Sequence, residues 1–151
     1  MPKIVPDIIN PQGIACVMQS MTIREAAILM DERGIAAVVI CHPGGRLAGI
    51  VTERDVTARV VAVGRDPVTT TVGEVMTPDP DTLLADDSPQ QALRMMRKRN
   101  YRHLPVVDEN HHVIGMVSVR DLYAFVLEEM SEDLRAQTDY IHGESYGVAA
   151  H

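Results

Sequence analysis

Two short segments of the sequence carry a hydroxyl and a carboxylate at the same spacing. Residues 49–55 read GIVTERD and residues 115–121 read GMVSVRD, at an offset of 66 positions. In each, a Thr or Ser follows two aliphatic residues and precedes an Asp by three positions. Where a strand runs into a helix, backbone N–H groups and the helix dipole favour a phosphate, and a carboxylate can accept hydrogen bonds from both ribose hydroxyls. The pattern therefore indicates two nucleotide-binding sites.

Helix capping explains the same spacing without any ligand. A Ser or Thr at the N-cap and an acid three residues later make a capping box, and Thr52 with Asp55 and Ser118 with Asp121 fit that description. The residue before each acid is an arginine in both segments, Arg54 and Arg120. Capping does not require these cations, whereas a phosphate would use them, although an arginine in a first helical turn is often only solvated. Both interpretations stay open at this point.

The elements that position these residues are themselves duplicated. The 66-residue offset continues backwards without gaps and aligns Ala26 with Ala92, Met30 with Met96 and Arg33 with Arg99. Each copy has a short apolar run, a helix that starts with a capping box, two apolar strands and a second helix that carries the acid. The apolar runs and strands cover 15–18, 35–41 and 47–51 in the first copy, and 82–85, 104–107 and 113–117 in the second. Each copy is therefore predicted to be a β-α-β-β-α unit.

A connector joins the two copies, and a long helix follows the second. Thr71 and Glu74 form a further capping box, which predicts a short helix in the connector. The last helix continues past Asp121 and weakens at residues 143–147. The predicted domains are 1–68 for the first repeat with an N-terminal segment, 69–130 for the second repeat, and 131–151 for the helix end and a flexible tail.

Composition and charge narrow the function classes. The net charge of −7 argues against nucleic acid or an anionic membrane as a partner. No signal peptide is evident and no apolar run reaches the roughly 18 residues needed to span a bilayer, so a cytoplasmic location is expected.

The sequence offers little for catalysis or for a metal. Cys16 and Cys41 lack a C-x-x-C motif or a His at ligand spacing, so both are interpreted as small, unpaired core residues. The adjacent His111 and His112 lack a third ligand and are interpreted as loop residues, so no metal site is predicted. No phosphate-binding glycine loop and no activated nucleophile is recognisable, so no catalytic residue is assigned and no enzyme is expected.

Four segments together resemble a known family, the paired cystathionine-β-synthase-type (CBS) domains, also called a Bateman module. They are residues 49–55, 115–121, 75–78 (VMTP) and 102–108 (RHLPVVD), and the resemblance covers roughly residues 8–130. It implies an α+β fold in which two β-α-β-β-α units with mixed sheets pack into one pseudo-two-fold module with two clefts. It also implies a disc-shaped homodimer and adenosine-containing ligands such as AMP, ADP, ATP or S-adenosylmethionine.

The resemblance assigns roles to individual residues. Thr52 and Ser118 would contact the phosphate or ribose, Asp55 and Asp121 the ribose diol, and Arg54 and Arg120 the phosphate. The adenine would be bordered by Tyr101, Arg102, His103, Leu104 and Pro105, with Thr82 and Leu83 facing it. The first copy has Ala36, Ala37 and Val39 where the second has Arg102, His103 and Pro105, which predicts a weaker first cleft.

The function expected from these features is ligand sensing. A nucleotide bound between the repeats would favour one packing of the module, and a partner protein, which the sequence does not identify, would respond to it. No cofactor is expected apart from this regulatory ligand. The alternatives are a structural dimerisation module whose clefts stay empty, and a nucleotide-cleaving enzyme, which would need a metal or nucleophile that the sequence does not present.

Overall fold

The order of elements follows the duplication. The computed structural model describes residues 1–11, 14 and 16–149, with side chains to residue 139. The helices are α1 Ile23–Arg33, α2 Glu53–Val56, α3 Val72–Val75, α4 Pro89–Arg99 and α5 Val119–Ala149, and the strands are β1 Ala37–Cys41, β2 Leu47–Thr52, β3 Thr77–Pro78, β4 Leu83–Leu84, β5 His103–Val107 and β6 Val113–Ser118. A further helical turn of π type, Thr57–Val61, continues α2. The predicted α+β class is confirmed.

The first helix of each unit starts and stops as the sequence predicts. The Glu25 N–H donates to Thr22 Oγ1 at 3.1 Å and the Thr22 N–H donates to Glu25 Oε2 at 3.2 Å. Ser88 and Gln91 make the same reciprocal pair before α4. α1 ends at Gly34 with φ of 61° and α4 at Asn100 with φ of 57°, both left-handed C-caps.

The strands form two three-stranded sheets, in the orders β1-β2-β3 and β4-β5-β6. All neighbours are antiparallel except β4 and β5, which are parallel. In the first unit a single parallel bridge from Val17 to Ile40 replaces the β4–β5 pairing. The strand predicted over 15–18 is therefore reduced to one bridge, and Ala15 lies outside the described residues.

Two segments cross from one unit to the other. β3 follows the connector yet pairs with β2 of the first unit, where Gly49 faces Pro78. A Cβ at Gly49 would lie 2.8 Å from the Thr77 carbonyl oxygen, so a glycine permits this close approach. In the other direction, the Ile4 N–H donates to the Asp87 carbonyl at 2.8 Å. The predicted domain boundaries stay predictions, but each packed unit includes chain from the other half.

Among the described residues, three clusters of apolar side chains form the core. One lies in each unit, built around α1 in the first and around α4 in the second, and the second includes the N-terminal residues Ile4 and Ile9. The third joins the two sheets through Val39, Leu47 and Val107. Burial of all five residues of β1 follows from cover on both faces, since the sheet packs on helices and on its counterpart.

Cys16 and Cys41 form a disulfide, with Cα atoms 5.5 Å apart. The expectation that both are unpaired core residues is therefore wrong. The reason is the bridge between Val17 and Ile40, which places their sequence neighbours side by side although 25 positions separate the cysteines.

The C-terminal helix is longer than a domain boundary at residue 130 suggests. α5 runs through residues 143–147 to Ala149, while residues 150 and 151 lie outside the described residues. A flexible tail stays a prediction. Within the described chain, no helix combines the length and apolar character needed to cross a bilayer.

Candidate functional site

The two strand-to-helix corners are formed as capping boxes. The Thr52 N–H donates to Asp55 Oδ2 at 2.9 Å, and the Asp55 N–H donates to Thr52 Oγ1 at 3.3 Å. The Ser118 N–H donates to Asp121 Oδ2 at 2.8 Å, and the Asp121 N–H donates to Ser118 Oγ at 3.1 Å. In both acids the backbone amide uses Oδ2 and leaves Oδ1 to other partners. The capping interpretation is thus correct for the geometry, and it does not occupy the whole carboxylate.

Each corner opens into a cavity that the two repeats share. The first cleft, a cavity of about 330 Å³, contains the corner residues Thr52, Arg54 and Asp55 together with Tyr101, Arg102 and Leu104 of the second repeat. The second cleft, about 560 Å³, contains Ser118, Arg120 and Asp121 together with Ile35, Ala37 and Val38 of the first repeat. Both volumes fall within the range typical of small-molecule sites.

This cross-pairing differs from the sequence-based assignment. Tyr101, Arg102 and Leu104 were expected to border the cleft of their own repeat, but they line the cleft that holds the Thr52–Asp55 corner. The repeats face each other across a pseudo-two-fold axis, so the helix end and strand start of one repeat reach the corner of the other. The polar side chains of Tyr101 and Arg102 therefore line the first cleft and not the second. The reason for expecting weaker ligand binding in the first cleft no longer applies.

Three predicted site residues lie away from both cavities. Leu83 is fully buried in the core of the second repeat, where it pairs with Val106. Pro105 is buried in β5 opposite Met116, and neither it nor Thr82 lines either cleft. Residues that sequence reasoning missed take their place, namely Pro80 and Asp81 in the first cleft and Ile14 in the second. The offset of 66, which aligns Ile14 with Pro80, was the available signal.

His103 lines both clefts, as Ala36 also does. Its Nδ1 atom is buried and has no hydrogen-bond partner among the described residues. Burial lowers the pKa of the imidazole below its ordinary value, the carboxylates of Asp121 and Glu53 oppose this, and the Arg102 guanidinium adds to it. The lowered pKa favours the neutral form of the ring.

The arginines of the first cleft divide into two groups. Arg59 is held in place, since its Nη1 donates to the Val75 carbonyl at 2.8 Å and its Nε lies 3.7 Å from Asp55 Oδ1. Arg99 Nε lies 3.4 Å from Asp81 Oδ2. Arg54 and Arg102 are exposed and make no ion pair with any described residue, as is also true of Arg120 in the second cleft. These guanidinium groups are available to an anionic ligand.

No group of three or more His, Cys, Asp or Glu side chains in the described residues is arranged to hold a metal ion. The adjacent histidines lie in the turn between β5 and β6, where His112 Nε2 lies 3.0 Å from the Gly44 carbonyl oxygen. The chemistry that the clefts offer is hydrogen bonding and charge, supplied by corner hydroxyls, carboxylates, guanidinium groups and one imidazole.

Comparison with family models gives two consecutive matches. The model of the CBS domain matches residues 6–62 and again residues 72–128. The two matched ranges coincide with the two repeats, and together they cover more than half of the chain.

Two curated relatives illustrate the range of similar proteins. The chain is 36% identical over 116 residues to Hypoxic response protein 1 of Mycobacterium tuberculosis, covering 77% of this chain and 80% of that protein. It is 33% identical over 126 residues to the mitochondrial CBS domain-containing protein CBSX3 of Arabidopsis thaliana, covering 81% of this chain. That match spans 61% of CBSX3, less than two thirds of its length.

Solved structures share the fold over most of the chain. A CBS-domain protein of Burkholderia ambifaria MC40-6 superposes with a TM-score of 0.77 at 31% identity, covering 84% of this chain and 95% of that one. The CBS domain pair of protein MJ0100, solved with 5′-methylthioadenosine and S-adenosyl-L-methionine, has a TM-score of 0.69 at 27% identity, with 79% and 93% coverage. CBSX2, solved in complex with AMP, is 22% identical, and with a TM-score of 0.68 it shares the fold.

Proposed function

Because this chain belongs to the CBS-domain family and carries two of these domains in tandem, we propose that it is a non-catalytic regulatory module that binds adenosine-containing ligands between its repeats. The observation that carries the proposal is that both Thr/Ser–Asp corners open into cavities shared by the two repeats. A capping box alone does not require a cavity, whereas a ligand-binding site requires one.

The roles of the individual residues follow from their places in the clefts. Oδ1 of Asp55 or Asp121, the oxygen that the capping amide does not use, accepts hydrogen bonds from ribose hydroxyls, with Thr52 or Ser118 beside it. Arg54 and Arg102 bind phosphate in the first cleft, and Arg120 is the corresponding cation of the second. The adenine packs on aliphatic and aromatic side chains, among them Tyr101 and Leu104. The MJ0100 domain pair, solved with two adenosyl compounds, supports this ligand class.

Signalling is the further part of the proposal. Ligand binding stabilises one arrangement of the two repeats, and a partner protein responds to that arrangement, so the two states must differ in ligand affinity. The module acts as a homodimer in the cytoplasm and uses no cofactor. The disulfide is unusual for that compartment, where thiol buffers keep most cysteines reduced, so cell fractionation is the direct test of location.

A binding panel tests the proposal. We expect AMP, ATP, S-adenosylmethionine or 5′-methylthioadenosine to stabilise the protein by about 2.7 kcal/mol at about 100 times Kd, which is roughly 5–10 °C in thermal midpoint. Asp55→Asn and Asp121→Asn should each weaken binding in calorimetry by about 10- to 100-fold, since each removes a charge-assisted hydrogen bond.

The matched control is Glu25→Gln. Glu25 caps α1 in the same way as Asp55 caps α2, yet it lines neither cleft. It should therefore reproduce the capping loss in stability and leave ligand affinity unchanged. Absence of a midpoint shift with every adenosine compound at millimolar concentration would reject the proposal.

A structural dimerisation module with empty clefts is the second candidate. The observation that favours it is that both acids already accept the amide hydrogen bonds of their own N-caps, at 2.9 Å and 2.8 Å. For such a module, Asp55→Asn, Asp121→Asn and Glu25→Gln would all lower stability to a similar extent, and no compound of the panel would bind.

A further inference from the structure

The duplication supplies an internal comparison between the two clefts. At the corner they are nearly identical, since Thr52, Arg54 and Asp55 of the first correspond to Ser118, Arg120 and Asp121 of the second. Each cleft also contains the arginine that ends the first helix of the opposite repeat, Arg99 or Arg33. Ribose and the first phosphate oxygen therefore meet the same groups in both.

The clefts differ along one aligned segment, in which three consecutive positions have contrasting side chains. The first cleft receives Tyr101, Arg102 and His103 from the second repeat, and the aligned residues that line the second cleft are Ile35, Ala36 and Ala37. Ala36 and His103 line both cavities, whereas Arg102 and Tyr101 line the first. One cleft therefore has a guanidinium and a phenol where the other has small or aliphatic side chains.

Net charge does not separate the two clefts. The first is lined by four arginines against three acids and the second by two arginines against one acid, so each lining carries a formal charge of +1. The number of guanidinium donors does separate them. In the first cleft the pairs of Arg59 with Asp55 and of Arg99 with Asp81 are 3.7 Å and 3.4 Å long and partly solvent-exposed. Such pairs contribute little stability, so a phosphate can displace them.

The second cleft offers an apolar wall instead. Its aliphatic lining consists of Ile14, Leu29, Ile35, Val38, Val39 and Met116. Among the described residues, a phosphate in this cleft meets only two arginines, Arg33 and Arg120, and has no counterpart of Arg102, whereas an uncharged alkyl or thioether group would bury apolar surface against the wall. The cavity is also the larger of the two, at about 560 Å³ against about 330 Å³.

We infer that the two clefts select different adenosine compounds. The first takes a phosphorylated nucleotide, and the second, which lacks a counterpart of Arg102 and has the apolar wall, prefers an adenosine derivative whose 5′ substituent is apolar. Arg102 is the residue that determines specificity for phosphate, because a guanidinium binds phosphate oxygens in a bidentate manner and the aligned residue of the second cleft is an alanine. The inference rests on the proposed function and deepens it.

Calorimetry with AMP and 5′-methylthioadenosine tests the inference. We expect each compound to bind with one equivalent per chain, and a saturating amount of one to leave the affinity of the other within about 3-fold. Arg102→Ala should weaken AMP by about 10- to 100-fold and leave 5′-methylthioadenosine unchanged. Asp121→Asn should weaken 5′-methylthioadenosine binding and leave AMP binding unchanged. Arg102→Lys keeps the positive charge but loses the planar guanidinium, so its affinity for AMP should lie between those of wild type and Arg102→Ala.

The outcomes separate this inference from the proposed function. If neither compound binds, the proposed function fails and the inference fails with it. If both bind but displace each other, or if Arg102→Ala weakens both equally, adenosine binding stands and selective clefts are rejected. A thermal midpoint for each variant without ligand confirms that it is folded, and Ile35→Arg provides a gain-of-function check. By adding a guanidinium to the second cleft, it should create a second AMP site and weaken 5′-methylthioadenosine.

Discussion

Each corner carboxylate can serve a helix and a ligand together because it has two oxygens. Asp55 Oδ2 accepts from both the amide and the hydroxyl of Thr52, while its Oδ1 faces Arg59. Capping fixes the carboxylate in one orientation, and a group held in that way loses little further entropy when a ribose binds. A capping box and a ligand-binding site are therefore compatible in the same residues, and a measurement of ligand affinity distinguishes the two interpretations.

The titration of His103 should make stability depend on pH. Burial lowers its pKa in the folded protein below the ordinary value of 6.5, against the opposing charges of Asp121 and Glu53. Above that value the ring is neutral in both states and adds no pH dependence. As the pH falls below it, the unfolded chain takes up the proton first, so stability is lost with falling pH until the folded protein also protonates.

Urea unfolding at pH 7.5 and pH 5.5 measures this effect. We expect His103→Gln to reduce the loss of unfolding free energy on acidification. Uptake of a single proton changes the unfolding free energy by at most about 1.4 kcal/mol per pH unit. The control is His42→Gln, which removes an exposed imidazole. An acid-induced loss of equal size in wild type and His103→Gln would show that another group is responsible.

The corner residues could be predicted from the sequence, but their neighbours could not. The spacing of Thr52 and Asp55 is enough to place both at one corner, because a capping box is a local structure. The side to which Leu83 points depends instead on the pairing of a two-residue strand, and a register shift of one residue reverses it. The orphaned Nδ1 of His103 likewise results from long-range packing and has no local signal.

At the scale of elements, the Cys16–Cys41 disulfide links the segment before α1 covalently to β1. Ile14, two positions before Cys16, lines the second cleft, and Ala37 and Val38 of β1 line it too. The bond thus joins two parts of one cleft wall. No local motif predicts this disulfide, because the two cysteines meet only when the parallel bridge from Val17 to Ile40 forms.

Loss of this disulfide should destabilise the protein. A cross-link over 25 residues restricts the unfolded chain by about 3–4 kcal/mol in the loop-entropy description. We expect a reducing agent to lower the unfolding free energy by up to this amount, measured by urea titration. Cys16→Ser should show the lowered value with and without reductant. A wild-type protein that is insensitive to reductant, with thiol trapping showing two free cysteines, would contradict the prediction.

At the scale of the whole molecule, the two repeats are more interwoven than their sequence order implies. β3 extends the sheet of the first repeat, the N-terminal residues complete the core of the second, and each cleft takes its corner from one repeat and its wall from the other. Repeat detection predicts the elements, because they depend on local patterns. It does not predict this exchange, which depends on how two sheets pack through Val39, Leu47 and Val107.

The outer face of α5 carries an exposed apolar stripe on which the proposed homodimer could form. Tyr123, Leu127, Met130 and Leu134 are 55–64% exposed and recur at steps of four, three and four residues. That spacing puts them on one stripe of the helix, of the kind that pairs with an identical stripe in a symmetric dimer. Exposed apolar stripes of this length are uncommon on monomers.

Leu127→Glu should therefore convert the proposed dimer into a monomer. A carboxylate at the centre of the stripe would face its own counterpart across the two-fold axis, and burying two like charges without partners is strongly unfavourable. Light scattering after size exclusion should show twice the monomer mass for wild type and the monomer mass for the variant. Val68→Glu, which places the same charge on an exposed apolar residue of the connector, should remain dimeric. Because the clefts lie between repeats of one chain, monomeric Leu127→Glu should still bind AMP, and loss of binding on dissociation would show that a second copy completes the site.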